Sequence, residues 1–264
     1  MVDFIKAVKL PFTDWKTLAI GAGITAVVNI AVFAVAFVLL LFAVIFPTIV
    51  VWAVLACIFI AANYVISFVI TGYVVRITSN AMHNQNSTLP KWDNWKGLFE
   101  DGFKVSAIYL AYYAVPVALI IAGAIHIVMR AYPRAYNWLV FMDPRFIAMN
   151  VTTTSAALIV AGVFLLVFLS YFAYMAMLSY SSRRRLSDAF NLKEVIGKSM
   201  RGNYFLGFLF LFAYAIGLNI LGAAVSTALS VLGMAFVSFI ITYFVSMVTL
   251  ITITDVMGQV YAEK

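Results

Sequence analysis

From Thr17 to Val75 the chain runs for 59 residues without one charged side chain, and from Gly202 to Thr254 it does so again for 53. One helix needs about 20 apolar residues to cross a bilayer. Each tract therefore holds two crossings and an uncharged turn. Uninterrupted apolar stretches of this length have no stable form in water, so lipid is the solvent of this chain. The composition agrees, with 65% hydrophobic and 10% charged residues against roughly 45–50% and about 25% in soluble domains. The expected fold class is all-α, a polytopic helical membrane protein with about six transmembrane helices and two short interfacial amphipathic helices. No stretch between spans is long enough to bury a core of its own. The reading is a single transmembrane domain over 1–264, without a soluble catalytic module.

The charge-poor runs place spans at about 17–45, 49–79, 105–129, 150–182, 203–230 and 233–255. Pro47 and Thr48 mark the first turn, since proline removes a helix hydrogen bond. Gly222 and Gly233 bracket the region of the corresponding second turn. Asn150 to Ser155 (NVTTTS) offers N-cap chemistry for the fourth span. With six spans, both termini and the 76–104 and 183–201 loops share one face, which carries 14 of the 17 Lys and Arg; Arg130, Arg134 and Arg145 lie on the other. The positive-inside rule then puts both termini in the cytoplasm, in a multi-pass protein of the plasma membrane. The net charge of +7 suits anionic headgroups, and no nucleic-acid partner is expected. Residues 1–16 are charged and amphipathic and the first apolar run is too long for an h-region, so no cleavable leader is expected.

The two basic loops share a pattern. Trp95, Leu98, Phe99 and Phe103 fall on one helical stripe, and Glu100 precedes Lys104 by four residues. At an offset of 97, Leu192, Val195, Ile196 and Met200 repeat the stripe, with Asn94 matching Asn191, Lys96 matching Lys193 and Lys104 matching Arg201. The reading is an internal repeat, 49–129 and 150–230, of descending span, flat interfacial helix and ascending span. Such duplications accompany transport folds and serve equally as packing devices.

The polar inventory of the spans is short. Asn29, Asn63 and Asn219 are candidates for helix-to-helix hydrogen bonds or a solute path. Tyr113 joins them, in a cluster with Tyr109 and Tyr112 whose hydroxyls need partners if buried. Asp, Glu, Lys and Arg are absent at membrane depth, which counts against ion coupling. The lone Cys57 reads as a small core residue, and His126 and His83 lie on opposite faces, so no metal or other cofactor is expected. Most aromatic residues fall where an interfacial belt places them. The sequon at Asn86 falls on the cytoplasmic side, and the one at Asn150 too near the bilayer.

Gly72-Tyr-Val-Val-Arg76, then Leu89-Pro-Lys-Trp-Asp-Asn-Trp95 and Leu98-Phe-Glu-Asp-Gly102, resemble an uncharacterised, mostly archaeal family of integral membrane proteins defined as a domain of unknown function. Leu10-Pro-Phe-Thr-Asp-Trp-Lys16 is similar too, and the likeness covers essentially the whole chain. It implies a multi-span helical protein of an archaeal or bacterial plasma membrane and brings no activity with it. Physically, the Leu-Pro-x-Trp-Asp-x-Trp stretch suits a helix entry: Pro90 ends one segment, Asp93 or Asn94 caps the next, and Trp92 and Trp95 set its depth. Pro90, Trp92, Asp93, Trp95, Phe99 and Phe103 are thus candidates for an interfacial anchor or a partner-binding surface.

These features point to a non-enzymatic integral membrane protein, an accessory or scaffolding subunit whose partners are the lipid bilayer and other membrane protein subunits. The alternative is a transporter or permeation pathway for an apolar or amphipathic small solute, which requires a mid-membrane cavity lined by Asn29, Asn63, Tyr113 or Asn219. A lipid-directed enzyme requires Asp93, Glu100 or Asp101 beside His83.

Overall fold

Local capping chemistry decides where most helices begin. In the computed structural model, which describes residues 2–45, 67–83, 88–134, 140 and 143–263, Asp3 opens α1 (Phe4–Lys9) by accepting the Lys6 amide. Asp14 opens α2 (Trp15–Ile45), its carboxylate taking the Thr17 amide at 3.1 Å and the Thr17 hydroxyl at 2.6 Å. The helix at 67–82, here α3, precedes α4 (Trp95–Ala131), which Asn94 caps through Gly97. Asp143 caps α5 (Pro144–Asn150). Thr152 and Ser155 form a reciprocal capping box on α6 (Thr153–Arg183). Next come α7 (Leu186–Ala189), α8 (Leu192–Ser199) capped by Asn191, α9 (Gly202–Val231) and α10 (Ala235–Ala262). The described residues contain no strand.

Four helical stretches are long and apolar enough to cross a membrane: Trp95–Arg134, Thr153–Arg183, Gly202–Val231 and Ala235–Ala262. The chain is a multi-pass helical membrane protein; these four helices fall on the last four of the six expected spans, and most of the second expected span lies outside the described residues. In the first charge-free tract α2 is followed to Ile45; the expected turn at Pro47–Thr48, together with Cys57 and Asn63, lies outside the described residues, as does Asn86.

Three expectations need correction. The first interfacial helix is not separate: Trp95 to Lys104 are the opening turns of the 37-residue α4. Nothing between Lys104 and Val105 breaks the helix, whereas Arg201-Gly202 separates the equivalent α8 from α9. The second turn sits at Gly233 alone, which takes φ +77° while the Met234 amide closes onto Leu229 O at 2.8 Å, a left-handed helix ending that glycine supplies without strain. Gly222 is buried within α9. Finally, α10 continues to Ala262, which places Asp255 inside a helix and fully buried, accepting from Gln259 Nε2 at 2.8 Å.

Lipid tails are as apolar as leucine, so close backbone contact and polar bonds, rather than the hydrophobic effect, must hold such helices together. The tightest approach is between antiparallel α3 and α4. A Cβ on Gly72 would lie 1.8 Å from Leu98 O, and one on Gly102 would lie 1.7 Å from Phe68 O. Each glycine thus faces the carbonyl four residues before the other, a reciprocal contact no larger residue fits. The remaining extensive packing joins α4 to α6, α9 to α10 and α2 to α10. Buried residues gather toward one end, among them Val74, Val105, Ile108, Leu178, Tyr180 and Val256, with Leu18, Tyr73, Leu98 and Ile251 in a second cluster.

Candidate functional site

That well-packed end also collects both chain ends and both basic loops. The Asp3 amide donates to Gln259 Oε1 at 2.8 Å. Lys198 reaches Glu194 Oε1 at 2.8 Å and the Tyr261 hydroxyl at 2.5 Å, and lies 3.9 Å above the Tyr261 ring. The Tyr171 hydroxyl donates to Ser199 O at 2.5 Å.

The Leu-Pro-Lys-Trp-Asp-Asn-Trp stretch folds inward at this end. Leu89 is buried, and the Tyr73 hydroxyl donates to Pro90 O at 2.8 Å. The Trp92 ring stacks on Tyr73 with centroids 3.8 Å apart, while its indole N–H donates to Thr17 O at 3.0 Å. Arg76 donates to Lys91 O at 3.1 Å, Asp93 Oδ1 at 2.6 Å and Asn94 O at 3.2 Å. The segment is therefore a clasp joining the start of α2, the end of α3 and the start of α4. Of the anchor candidates, Pro90, Trp92 and Asp93 belong to this clasp. Trp95, Phe99 and Phe103 instead form an exposed stripe on α4, with Phe68 edge-on to both phenylalanines. The buried face of α4 is the neighbouring one: Leu98, Asp101, Gly102, Val105 and Ile108.

Beside the clasp lies an open cleft of about 690 Å³ lined by Arg76, Asp93, Asn94, Gly97, Glu100, Asp101 and Arg184. Asp101 is its buried member, accepting the Tyr180 hydroxyl at 2.8 Å and pairing with the Arg184 guanidinium. Asn94 (φ 48°) and Arg184 (φ 57°), the non-glycine residues with positive φ among those described, both line it. Glu100 lies 4.0 Å from Lys96, not toward Lys104 as its spacing suggested. Three carboxylates thus meet two guanidiniums, but His83 is elsewhere, its Nδ1 2.7 Å from Ser79 O. The acid–histidine pair that a lipid-directed enzyme requires is not assembled here. Nor do three or more His, Cys, Asp or Glu come together as a metal site among the described residues.

The intramembrane candidates among the described residues make local contacts. Asn29 donates to Thr25 O at 2.8 Å and Asn219 to Ala215 O at 2.7 Å, each within its own helix. Tyr113 stacks on Tyr109 at 5.8 Å, whose hydroxyl meets Met177 Sδ at 3.2 Å; Tyr112 donates to Ala189 O at 3.0 Å. His126 Nδ1 lies 3.4 Å from Thr152 Oγ1 at the opposite end.

Tyr73, Arg76, Tyr180 and Arg184 are polar residues to which the sequence assigned no site role, and Asp101 was named there only as a possible acid beside His83. One signal was present: Leu98, Asp101, Gly102, Val105 and Ile108 also follow a helical stripe, with a single charge set into it. Removing that charge has a calculable cost. Asp101→Leu strands the Tyr180 hydroxyl and the Arg184 guanidinium, and is expected to lower stability by about 2–3 kcal/mol, less than a fully buried pair because Arg184 is 41% exposed. Asp101→Asn keeps an acceptor for Tyr180 and should lose about half as much. A double-mutant cycle with Arg184→Met, read by thermal unfolding in detergent, isolates the pair.

The profile of one protein family, described as a protein of unknown function (DUF4013), matches residues 55–227. The chain belongs to the DUF4013 family. The matched stretch holds the clasp from Tyr73 to Trp95, both Asn-capped helices and most of α9; Thr17 and α10 fall outside it. No curated protein and no solved structure matches the chain.

Two carboxylates outside the spans make the basic end acid-sensitive. Hydrogen bonding from Lys198 holds the Glu194 carboxyl below its ordinary range, with the charges of Lys198 and Arg183 adding and partial burial opposing. The Thr17 hydroxyl and amide do the same for Asp14. A folded-state pKa below the unfolded one gives stability that is complete above the unfolded value and fades as pH falls through the folded one. Wild type should therefore exceed Glu194→Gln in stability near neutrality by about 1 kcal/mol, since the pair, each side chain 22% exposed, is partly screened by water. The margin should close as the pH is taken below the ordinary glutamate range, as melting curves across an acid series will read.

Proposed function

We propose that this chain is a non-enzymatic integral membrane protein acting as an accessory or scaffolding subunit of a larger membrane complex, inserted with both termini in the cytoplasm. The observation that supports this is the distribution of burial along the spans. The apolar windows of the four spanning helices are only 11–33% buried against the rest of the chain, so their flanks are left for lipid and for other helices. At the charged end, Arg76, Asp101, Trp92, Tyr180 and Lys198 are each bonded within the chain itself. A protein built this way presents helix surfaces rather than a reaction centre. The 14-to-3 partition of Lys and Arg supports the orientation.

The test is affinity purification of the tagged full chain from native membranes under mild extraction. Other membrane polypeptides at fixed stoichiometry are expected; a chain recovered free of any other polypeptide species sinks the proposal.

One observation favours a solute-binding alternative. An open cleft of about 1020 Å³ lies among α1, α3, α9 and α10, lined by the apolar Phe4, Leu206 and Phe210 and by the polar Asn203, Gln259 and Glu263. Its mixed lining suits an amphipathic molecule at the membrane boundary. Asn29, Tyr113 and Asn219 do not line it, so it supplies a boundary site and not a path through the spans.

A further inference from the structure

The α7–α8 segment, between the spans α6 and α9, is tied to two different helices. Tyr112 of α4 donates to Ala189 O at 3.0 Å, and Tyr171 of α6 donates to Ser199 O at 2.5 Å. A segment held at its two ends by neighbouring spans crosses them rather than extending either, and Arg201, with an extended ψ of 135°, then turns the chain into α9. One side of it is buried through Ala189, Val195 and Ser199. The adjoining side is open. Leu192, Ile196 and Met200 are 58, 45 and 67% exposed, and their spacing of four makes them one stripe.

Two further observations give this stripe a depth and a charge. Tyr171 lies about 27 Å of helix beyond Thr153, the first residue of α6, close to the ~30 Å of a hydrocarbon core. Between them α6 buries only Ser155 and Gly162, whereas from Phe172 to Ser181 it is nearly all buried. The change from lipid-type to packed surface thus falls at the tyrosine that holds Ser199. The acids of the segment are already matched, Asp188 and Glu194 by Arg183 and Lys198, and Arg184 is held by Asp101. Arg185 and Lys193 are exposed and form no ion pair among the described residues. Lys193 borders the stripe, about 60° round the helix from Ile196.

We propose that the α7–α8 segment is a binding site for anionic phospholipid, with Arg185 and Lys193 against the phosphate-bearing headgroups and the Leu192–Ile196–Met200 stripe against the upper acyl chains. Charge and depth select the occupant. Two uncompensated cations beside an apolar stripe call for an anion with an apolar body. The cytoplasmic leaflet presents that chemistry at the depth where the segment rests. The proposal rests on the orientation with both basic loops in the cytoplasm and is independent of the subunit role.

The full chain, purified in a neutral detergent, is titrated with phosphatidylglycerol or with phosphatidylcholine, and bound lipid is counted by native mass spectrometry. Phosphatidylglycerol should bind about tenfold or more tightly than phosphatidylcholine. Arg185→Gln combined with Lys193→Gln should remove that preference and leave phosphatidylcholine binding unchanged; both side chains are exposed, so the fold should survive. Lys96→Gln, at the position matching Lys193 and 88% exposed, should keep the preference. A nitroxide on Ile196→Cys, in a Cys57→Ser background and phosphatidylglycerol vesicles, should be open to oxygen and shielded from a water-soluble nickel chelate. Equal binding of the two lipids overturns the proposal, as does a double variant that keeps the preference or a Lys96→Gln chain that loses it as fully. Displacement of the lipid by glycerol phosphate at equal concentration also overturns it, since that ligand needs no stripe. So does a nitroxide open to nickel, which puts the stripe in water, or one shielded from both probes, which puts protein on it. Co-purification of other polypeptides tests the subunit reading separately, so either can fail alone.

Discussion

Replacing Gly102 with alanine is expected to cost at least about 3 kcal/mol, and replacing it with leucine to prevent accumulation of folded protein. The added Cβ would stand 1.7 Å from Phe68 O and 2.5 Å from the carbonyl carbon. These are backbone atoms of α3, with no rotamer through which to yield, so the two helices must separate. Overpacking in a core typically costs about 1–3 kcal/mol when side chains can adjust, and a backbone clash belongs at or beyond the top of that range. Separation would also spread. Gly72 makes the mirror contact with Leu98 O, and Arg76 and Tyr73 hold the clasp from the same helix. Thermal unfolding of detergent-purified variants reads the effect, with Gly72→Ala expected to match Gly102→Ala. Gly23→Ala and Gly217→Ala serve as controls. Neither has a neighbour within 4 Å of the added carbon, so each should be neutral or stabilising by about 0.5–1 kcal/mol, the helix cost of glycine relative to alanine. Equal destabilisation across all four positions would mean that the α3–α4 approach is not what holds the bundle.

Which parts of this architecture could be read in advance depended on the range of the interactions involved. Lipid as solvent followed from the charge-free tracts alone, because that property belongs to a segment and not to its neighbours. Asn94 and Asn191 were legible as matching positions, and each caps its helix across three residues. The Thr152 cap is equally local. The first interfacial helix was misread for a local reason too: its amphipathic stripe is real, but only Arg201-Gly202 carries a break before the following span. Long-range bonds left no such trace. Trp92 turns inward because of Thr17, 75 residues earlier, and Asp101 is satisfied by Tyr180 and Arg184 from another helix. Asn29 and Asn219 show the opposite limit. Their residue type announces a hydrogen bond within the bilayer, yet each spends one N–H on its own helix, and where the remainder goes depends on what lies against that flank.

The two tryptophans of the clasp motif, three residues apart, should differ sharply on mutation, and the difference separates a structural clasp from a membrane anchor. Trp92→Ala removes a ring stacked on Tyr73 and the indole bond to Thr17 O. It also empties space beside Gly21, where a Cβ would come within 2.9 Å of the indole. Truncating a packed tryptophan costs about 3–5 kcal/mol, so α2 should lose its hold on α3 and the melting temperature should fall markedly. Trp92→Phe keeps the stack and forfeits the hydrogen bond, for an expected loss of about 1 kcal/mol. Trp95 is 50% exposed and touches its surroundings through a looser 6.2 Å ring contact with Trp92; Trp95→Ala should change stability by under about 1 kcal/mol. Its effect belongs instead to the membrane boundary, where a tryptophan sets helix depth, so fluorescence quenching by lipids brominated at defined depths should report a shift for Trp95→Ala. If Trp95→Ala proves the more destabilising of the two, the motif works from outside the bundle, and the inward clasp is not its function.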